Sequence, residues 1–347
     1  MKKLIIFLFT LSLSLASTAQ QTKYTHPGAY MNDIQKWLVK IQQDMWDYTN
    51  AAAHGKSVRK IENKRQDIIG SLKDAKDFVY KMPSYKGDRS LKDSSLSYLR
   101  LSNKIMTQDI SKLVNMEDIA EDSYDAMEAY LKAKDMVVAR QDSSLEMVNN
   151  EFKNFAKKYN VTMIEGESTV SQKIQQSRKV YDYHDKVFLL MFRALKQELY
   201  VLMALGKNDI SALKQNIDAL TKSSTEGLET LNSLPAFEGD NNLKNACRTL
   251  LQFYKNEAAN QLPAFTDYLI EQEKMEKITK TLKAKPQSKR TQQELDDYNQ
   301  LLEKYNTKTA EINKLVTKIS NEKNKLLKEW SSASDKFIDS HVPKGKS

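Results

Sequence analysis

Four histidines, His26, His54, His184 and His341, and one cysteine, Cys247, are the residues of this 347-residue sequence best suited to metal, redox or nucleophilic chemistry. Their spacing supports little of it. No histidine falls in the Glu-x-x-His or His-Glu-x-x-His pattern that sets ligands on one helix face for a di-iron or zinc centre. A lone cysteine can neither close an intrachain disulfide nor build a thiolate metal site, and Cys247 sits at a core position between Leu243 and Leu250, as a small hydrophobe would. Gly-x-Gly-x-x-Gly, Walker-type and Gly-x-Ser-x-Gly loops are absent, so nucleotide and serine-hydrolase chemistry have no support. One cluster mixes titratable and aromatic groups at the start of a helix: Tyr181-Asp182-Tyr183-His184-Asp185. Tyr181, Tyr183, His184 and Asp185 are therefore candidate ligand contacts, although acids there also suit the positive end of a helix dipole. The acidic run Glu117, Asp118, Glu121, Asp122, Asp125 and Glu128 has helical spacing and reads as a solvated face rather than a cation site. No cofactor and no metal is expected.

The elements that must position these residues are helices. The chain holds 9 Gly and 6 Pro, where average usage would give roughly 24 and 17. Few turns are possible, which disfavours β-sandwiches and loop-rich α/β folds. Apolar residues recur in steps of three and four: Met31, Ile34, Leu38, Ile41, Met45 and Tyr48 form one stripe, and Val58, Ile61, Ile68, Leu72, Ala75 and Val79 the next. The last helix carries a heptad seam from Tyr298 to Phe337, with only Thr309 and Lys323 off the apolar pattern.

An internal repeat organises the helices. Met82-Pro83-Ser84-Tyr85-Lys86-Gly87-Asp88-Arg89-Ser90-Leu91-Lys92 recurs 152 positions later as Leu234-Pro235-Ala236-Phe237-Glu238-Gly239-Asp240-Asn241-Asn242-Leu243-Lys244. Pro and Gly-Asp end one helix, turn the chain and leave Asp88 or Asp240 as N-cap of the next. Gly55-Lys56 and Gly206-Lys207 mark a second matched turn. Phe155 to Val161 resembles Phe337 to Val342 at a separation of 182, so the second copy carries an insertion of about 30 residues. The expected fold is all-α: two tandem up-down-up-down four-helix bundles related by duplication, with helices near 30–53, 57–81, 89–115, 118–159, 169–205, 209–232, 240–281 and 291–339. The first bundle spans 20–160, a linker 161–168, and the second bundle 169–347.

Two departures from the repeat bear on function. The insertion, about 271–300, should form an extended helical hairpin with a basic tip at Lys283, Lys285, Lys289 and Arg290, a contact arm for an acidic partner or an anionic envelope polymer. The fifth helix is apolar at fifteen of nineteen positions from Val187 to Leu205, but Arg193, Lys196, Gln197 and Glu198 interrupt its centre, which favours burial between bundles over membrane insertion.

Residues 1–19 read as a signal peptide: Lys2 and Lys3, an apolar stretch from Leu4 to Leu15, and Ser17-Thr18-Ala19 before a cut at Gln20. The stretch is shorter than the roughly 20 residues of a span, no transmembrane span is expected in the mature chain, and no cysteine at the cleavage site marks a lipoprotein. Net charge is +9, spread along the chain with acids interleaved, so nucleic acid is not an expected partner. The leader, the paired halves, Phe155-Ala156-Lys157-Lys158-Tyr159-Asn160-Val161 and the closing Lys336-Phe337-Ile338-Asp339-Ser340-His341-Val342-Pro343-Lys344 resemble an uncharacterised family of predicted bacterial surface proteins. That resemblance implies an envelope location and assigns no residue a role. The expected function is a non-enzymatic binding protein of the periplasm or bacterial surface, its partner an unidentified envelope macromolecule and its oligomeric state open. The alternatives are a small-ligand carrier or sensor with an apolar or aromatic-lined cavity near Tyr181 to His184, and a holdase with an exposed apolar concavity.

Overall fold

A computed structural model describes residues 24–163 and 168–345; the signal-peptide reading and Gly166 of the linker lie outside them. The described residues are all-α, without a strand. The helices are α1 (Pro27–Ala53), α2 (Val58–Lys81), α3 (Ser90–Lys104), α4 (Ile110–Ala120), α5 (Tyr124–Lys158), α6 (Thr169–Gly206), α7 (Ile210–Ser233), α8 (Asn242–Asn256), α9 (Pro263–Ala284) and α10 (Gln292–His341). π-helical turns at Ile105–Asp109 and Glu257–Gln261 join α3 to α4 and α8 to α9. Each pair therefore forms one continuous rod, so the described chain has eight, close to the periodicity reading. Each π turn is closed by an i to i−5 bond, such as Leu262 N–H to the Glu257 carbonyl at 2.9 Å.

The apolar stripes bury as the three-four spacing requires. Tyr30, Ile34, Leu38 and Ile41 of α1 meet Ile68, Leu72 and Val79 of α2, Leu91 and Leu99 of α3, and Val148, Phe152 and Phe155 of α5 in one core. A second core gathers Val180, Val187, Met191 and Val201 of α6, Leu213 and Leu220 of α7, Leu243, Cys247 and Leu250 of α8, and Ile319, Trp330 and Phe337 of α10. Cys247 is buried, and desolvation pushes its thiol up to about 12, which leaves it protonated and inert.

α6 belongs to the second core and also builds a third, smaller cluster with α4 and α5. Its Phe188, Leu189, Phe192 and Leu195 pack against Ala120, Met127, Tyr130 and Leu131 of α4 and α5. Lys134 pairs with Asp185 and Arg178 with Asp142 across the same seam. Past Leu195 that cover ends: Leu199, Leu202 and Met203 are 40%, 42% and 50% exposed, so only the first part of the helix is buried on several faces. No described helix is long and apolar enough to cross a membrane. A second tie joins the end of α1 to the segment that closes α10, where Gly345 N–H donates to Asn50 Oδ1 at 3.0 Å and His54 meets Asp339 at 2.9 Å.

The matched Pro and Gly-Asp segments fold alike. Tyr85 and Asp88 exchange two backbone hydrogen bonds, as do Phe237 and Asp240, around left-handed pairs Lys86-Gly87 (φ 50° and 84°) and Glu238-Gly239 (φ 50° and 87°). Two consecutive positive φ angles define a type I′ turn. Asp88 Oδ1 accepts from the N–H of Ser90, and Asp240 Oδ1 from that of Asn242, so each aspartate caps from one residue outside the N-cap positions Arg89 and Asn241. The Gly55 and Gly206 turns differ: Gly55 is left-handed (φ 64°), whereas Gly206 ends α6 and Asn208 takes the left-handed position (φ 54°), a conformation Asn tolerates.

Replacing Gly239 by Ala adds a Cβ at φ +87° and is expected to cost about 1 kcal/mol, whereas Gly206→Ala, with open space at its Cβ, is expected to be neutral or mildly stabilising. Chemical denaturation midpoints of the two variants check this; equal effects would contradict it.

Candidate functional site

Residues Tyr181 to Asp185 lie within α6, and helical spacing sends them in different directions. Tyr183 points into the second core, stacked near Phe237 (5.2 Å) and Phe337 (5.6 Å), and its hydroxyl donates to the Pro235 carbonyl at 2.9 Å. Tyr181 and Asp185 face α5 instead, where Lys134 lies 6.0 Å over the Tyr181 ring and ion-pairs with Asp185. Burial, with Asp185 nearby, raises the Tyr181 hydroxyl to about 12. Burial alone would raise Asp185 as well, but His184 and Lys134 hold its carboxyl below the ordinary range. The cluster is thus divided between a core and a seam rather than gathered round one cavity.

His184 faces α10. Its Nε2 lies 2.7 Å from Ser334 Oγ and its Nδ1 3.4 Å from Asp185 Oδ1, while its ring packs near Phe188 and Trp330. A hydroxyl, an imidazole and a carboxylate in line have the composition of a hydrolytic relay. The surroundings do not complete one. Ser334 stands inside α10, where backbone N–H groups are committed to i−4 carbonyls, so no pair of amides is free to stabilise an oxyanion. The carboxylate leg is long, and Asp185 is held by Lys134. What this arrangement does is fix α6 to α10 on one side and to α5 on the other.

The basic tip is partly consumed by its own fold. Lys285 Nζ contacts both Glu294 oxygens at 2.7 and 2.8 Å, and Arg290 Nε donates to the Lys285 carbonyl at 3.1 Å. Thr291 and Glu294 form a capping box that starts α10. Lys283 and Lys289 stay exposed. Of the four lysines and arginines expected to meet a partner, two close the turn and two are available.

A polar layer inside the second core was not singled out as a site by motif. Glu198 of α6 is 2% exposed and accepts from Lys323 Nζ of α10 at 2.7 Å. Beside this pair lie Tyr254 and Glu257 at the junction of α8 with its π turn, 0% and 1% exposed, with Tyr254 Oη and Glu257 Oε2 lacking hydrogen-bond partners. Desolvation, reinforced by the nearby Glu198 charge, raises the Glu257 carboxyl to about 8, and the Tyr254 hydroxyl is raised for the same reasons. Burial raises Glu198 too, against the opposing pull of Lys323. Near neutral pH the Glu257 carboxyl is therefore protonated, beside the Glu198–Lys323 contact. The corresponding layer of the first core holds Met45, Ser102, Ile105 and Gln141, reached by the same steps from Tyr30, Gly87 and Phe155 as the second set from Tyr183, Gly239 and Phe337. There the polar content is neutral: Gln141 Nε2 donates to Ser102 Oγ at 2.8 Å, and the buried Tyr98 hydroxyl lies against both. The signals in the sequence were Lys323, off the heptad seam, and Glu198, central in an apolar helix. Among the described residues no group of three or more His, Cys, Asp or Glu is placed to hold a metal ion.

Two outcomes follow from this layer. An acid whose folded-state pKa is raised favours folding most where both states are protonated. As pH rises from about 4.5 to about 8 the unfolded chain ionises first and stability falls by up to about 1.4 kcal/mol per unit, levelling off above about 8. Urea midpoints across that range should show the decline in the parent and much less of it in Glu257→Gln. Second, Lys323→Gln alone strands the buried Glu198 carboxylate and is expected to cost about 3–5 kcal/mol, whereas Glu198→Met leaves a partly exposed lysine that water can reach and should cost less. The pair together, which copies the first core's Met45 and Gln141, should cost much less than the sum; additive losses in a double-mutant cycle would contradict the coupling.

No family model, curated protein or solved structure matches the chain.

Proposed function

We propose that this chain is an exported, non-enzymatic interaction protein of the bacterial cell envelope or surface, and that the α9–α10 hairpin is its contact arm. The observation that carries the reading is how the hairpin is built. The second core ends at Leu269 on α9 and Ile312 on α10, yet both helices continue past it to a turn at Pro286. That outer part is held by its own contacts. Tyr268 stacks on Tyr305 with ring centroids 5.6 Å apart, Glu271 is held by Lys274 at 3.2 Å and Lys304 at 2.8 Å, and the capping box fixes the turn. A rigid element that adds little to the core but is stiffened along its length suits presentation of a surface.

The carrier reading draws less support. Tyr183 fills the second core and His184 is locked to Ser334, so the side chains expected to line a cavity serve as packing. The large grooves lie elsewhere and are open to solvent; one of about 640 Å³, between α1 and α2, is lined by polar side chains such as Asn50, Lys60 and Asn63.

The test is crosslinking in the native envelope, comparing the parent chain with one in which residues 275–296 are replaced by a short turn. A partner band that depends on the hairpin, with helicity retained in both proteins, is the expected result. Equal capture by the shortened chain would overturn the contact-arm reading.

A further inference from the structure

We propose that the partner of the hairpin is a second copy of this chain, bound at its α4–α5 corner. The inference rests on the reading of the hairpin as a contact arm and names what that arm holds.

The two surfaces occupy the same place in each half: both follow the rod that contains the π turn and precede the last long helix. Their charges are opposite. From Lys277 to Arg290 the chain has six basic residues and no acidic one; from Glu117 to Glu128 it has six acidic residues and no basic one. Local folding uses part of the basic set, Lys285 and Arg290, and leaves Lys277, Lys280, Lys283 and Lys289 exposed. On the corner, Glu117, Glu121, Asp122 and Asp125 are exposed. Among the described residues none of these eight side chains forms an ion pair. The acids at the end of α4 also oppose the helix dipole, with no basic residue in the last turn to offset them, at a cost of about 0.3–1 kcal/mol each. Asp125 lies in the first turn of α5, where the dipole favours an acid, but Glu117 lies in the last turn of α4, where it does not.

Shape accompanies charge. The flank of the hairpin carries an open groove of about 450 Å³, lined by Met275, Thr279 and Tyr305, with Lys280 and Lys283 beside one acid, Glu276. The corner presents Ile119, 61% exposed, between Glu117 and Glu121. An isoleucine flanked by carboxylates complements a Met and Tyr groove edged by lysines. The acids would meet Lys280 and Lys283 as the apolar side chain enters, and like charge would disfavour hairpin-to-hairpin or corner-to-corner contacts. Each copy carries one arm and one corner, so the contact is head-to-tail and either closes a ring or extends as a filament.

The experiment is sedimentation velocity of the purified chain over a concentration series. Association is expected at low salt, weakening by about tenfold or more between about 50 and 300 mM salt because the charges are exposed. Reversing the arm (Lys277, Lys280, Lys283 and Lys289 to Glu) or the corner (Glu117, Glu121, Asp122 and Asp125 to Lys) should each abolish self-association, while mixing the two reversed proteins restores it. That restoration shows that both variants are folded. Ile119→Asp should weaken the contact without reversing the charge pattern. A parent chain that stays monomeric at low salt, or reversed variants that associate as tightly as the parent, overturns the proposal. Monomeric protein together with hairpin-dependent capture of a different envelope molecule would overturn only the identity of the partner and leave the contact arm standing.

Discussion

Each half of the molecule depends on one aspartate that serves two helices at once. At the type I′ turn between the second and third helices, one carboxylate oxygen of Asp88 accepts from the backbone N–H that opens α3. The other oxygen accepts from the end of α5, through Tyr159 at 3.1 Å and Lys158 at 2.6 Å. Asp240 does the same between α8 and α10, with His341 at 3.0 Å as the distant donor. Burial would raise Asp88, but the donors from Lys158, Ser90 and Tyr159 hold it well below the carboxylate range; the N–H of Asn242 and the His341 ring lower Asp240. The turn is held from the other side by Lys92 and Lys244, which donate to the carbonyls of Met82 and Leu234 left open at the ends of α2 and α7. Beneath it, Tyr85 or Phe237 closes an aromatic layer with Tyr30 and Phe155, or Tyr183 and Phe337. The angle between helices, the stop of one and the start of the next are thus set by a few residues of fixed type.

From that common corner the halves diverge in what their cores are asked to do. The first is sealed with an uncharged Ser102–Gln141 bond. The second accepts the Glu198–Lys323 pair and a protonated Glu257 at the same level. A buried pair adds little net stability compared with an apolar core, but it penalises any register that separates its members. α10 is the longest helix and continues far beyond the core, so a fixed point on it has structural value: it sets where the hairpin begins.

Much of this architecture was legible. Eight helical segments, both turns of the Pro and Gly-Asp type, the buried state of Cys247 and the hairpin at Pro286 all follow from local rules, because apolar periodicity and turn chemistry act over a few residues. The Gly206-Lys207 turn stands where the sequence places it, but its left-handed residue is Asn208 rather than a glycine as at Gly55, because either residue type tolerates that conformation at a helix end. Tyr181 to Asp185 looked like a cluster because they are adjacent in sequence; a helix turns 100° per residue and sent Tyr183 and Asp185 to opposite neighbours. Ser334 could not have been linked to His184, 150 residues away, by any spacing rule.

By itself the sequence determined that the chain is helical, where it turns, and that the Pro and Gly-Asp segment recurs 152 positions later, because these are written in residues close enough to interact along the backbone. Only the tertiary structure decided which charges are buried as pairs, which lysines of the hairpin are used up in closing its turn, and that α6 packs a second face against α4 and α5. Those outcomes depend on groups tens to hundreds of residues apart, and on whether water or protein surrounds them, which no local pattern records.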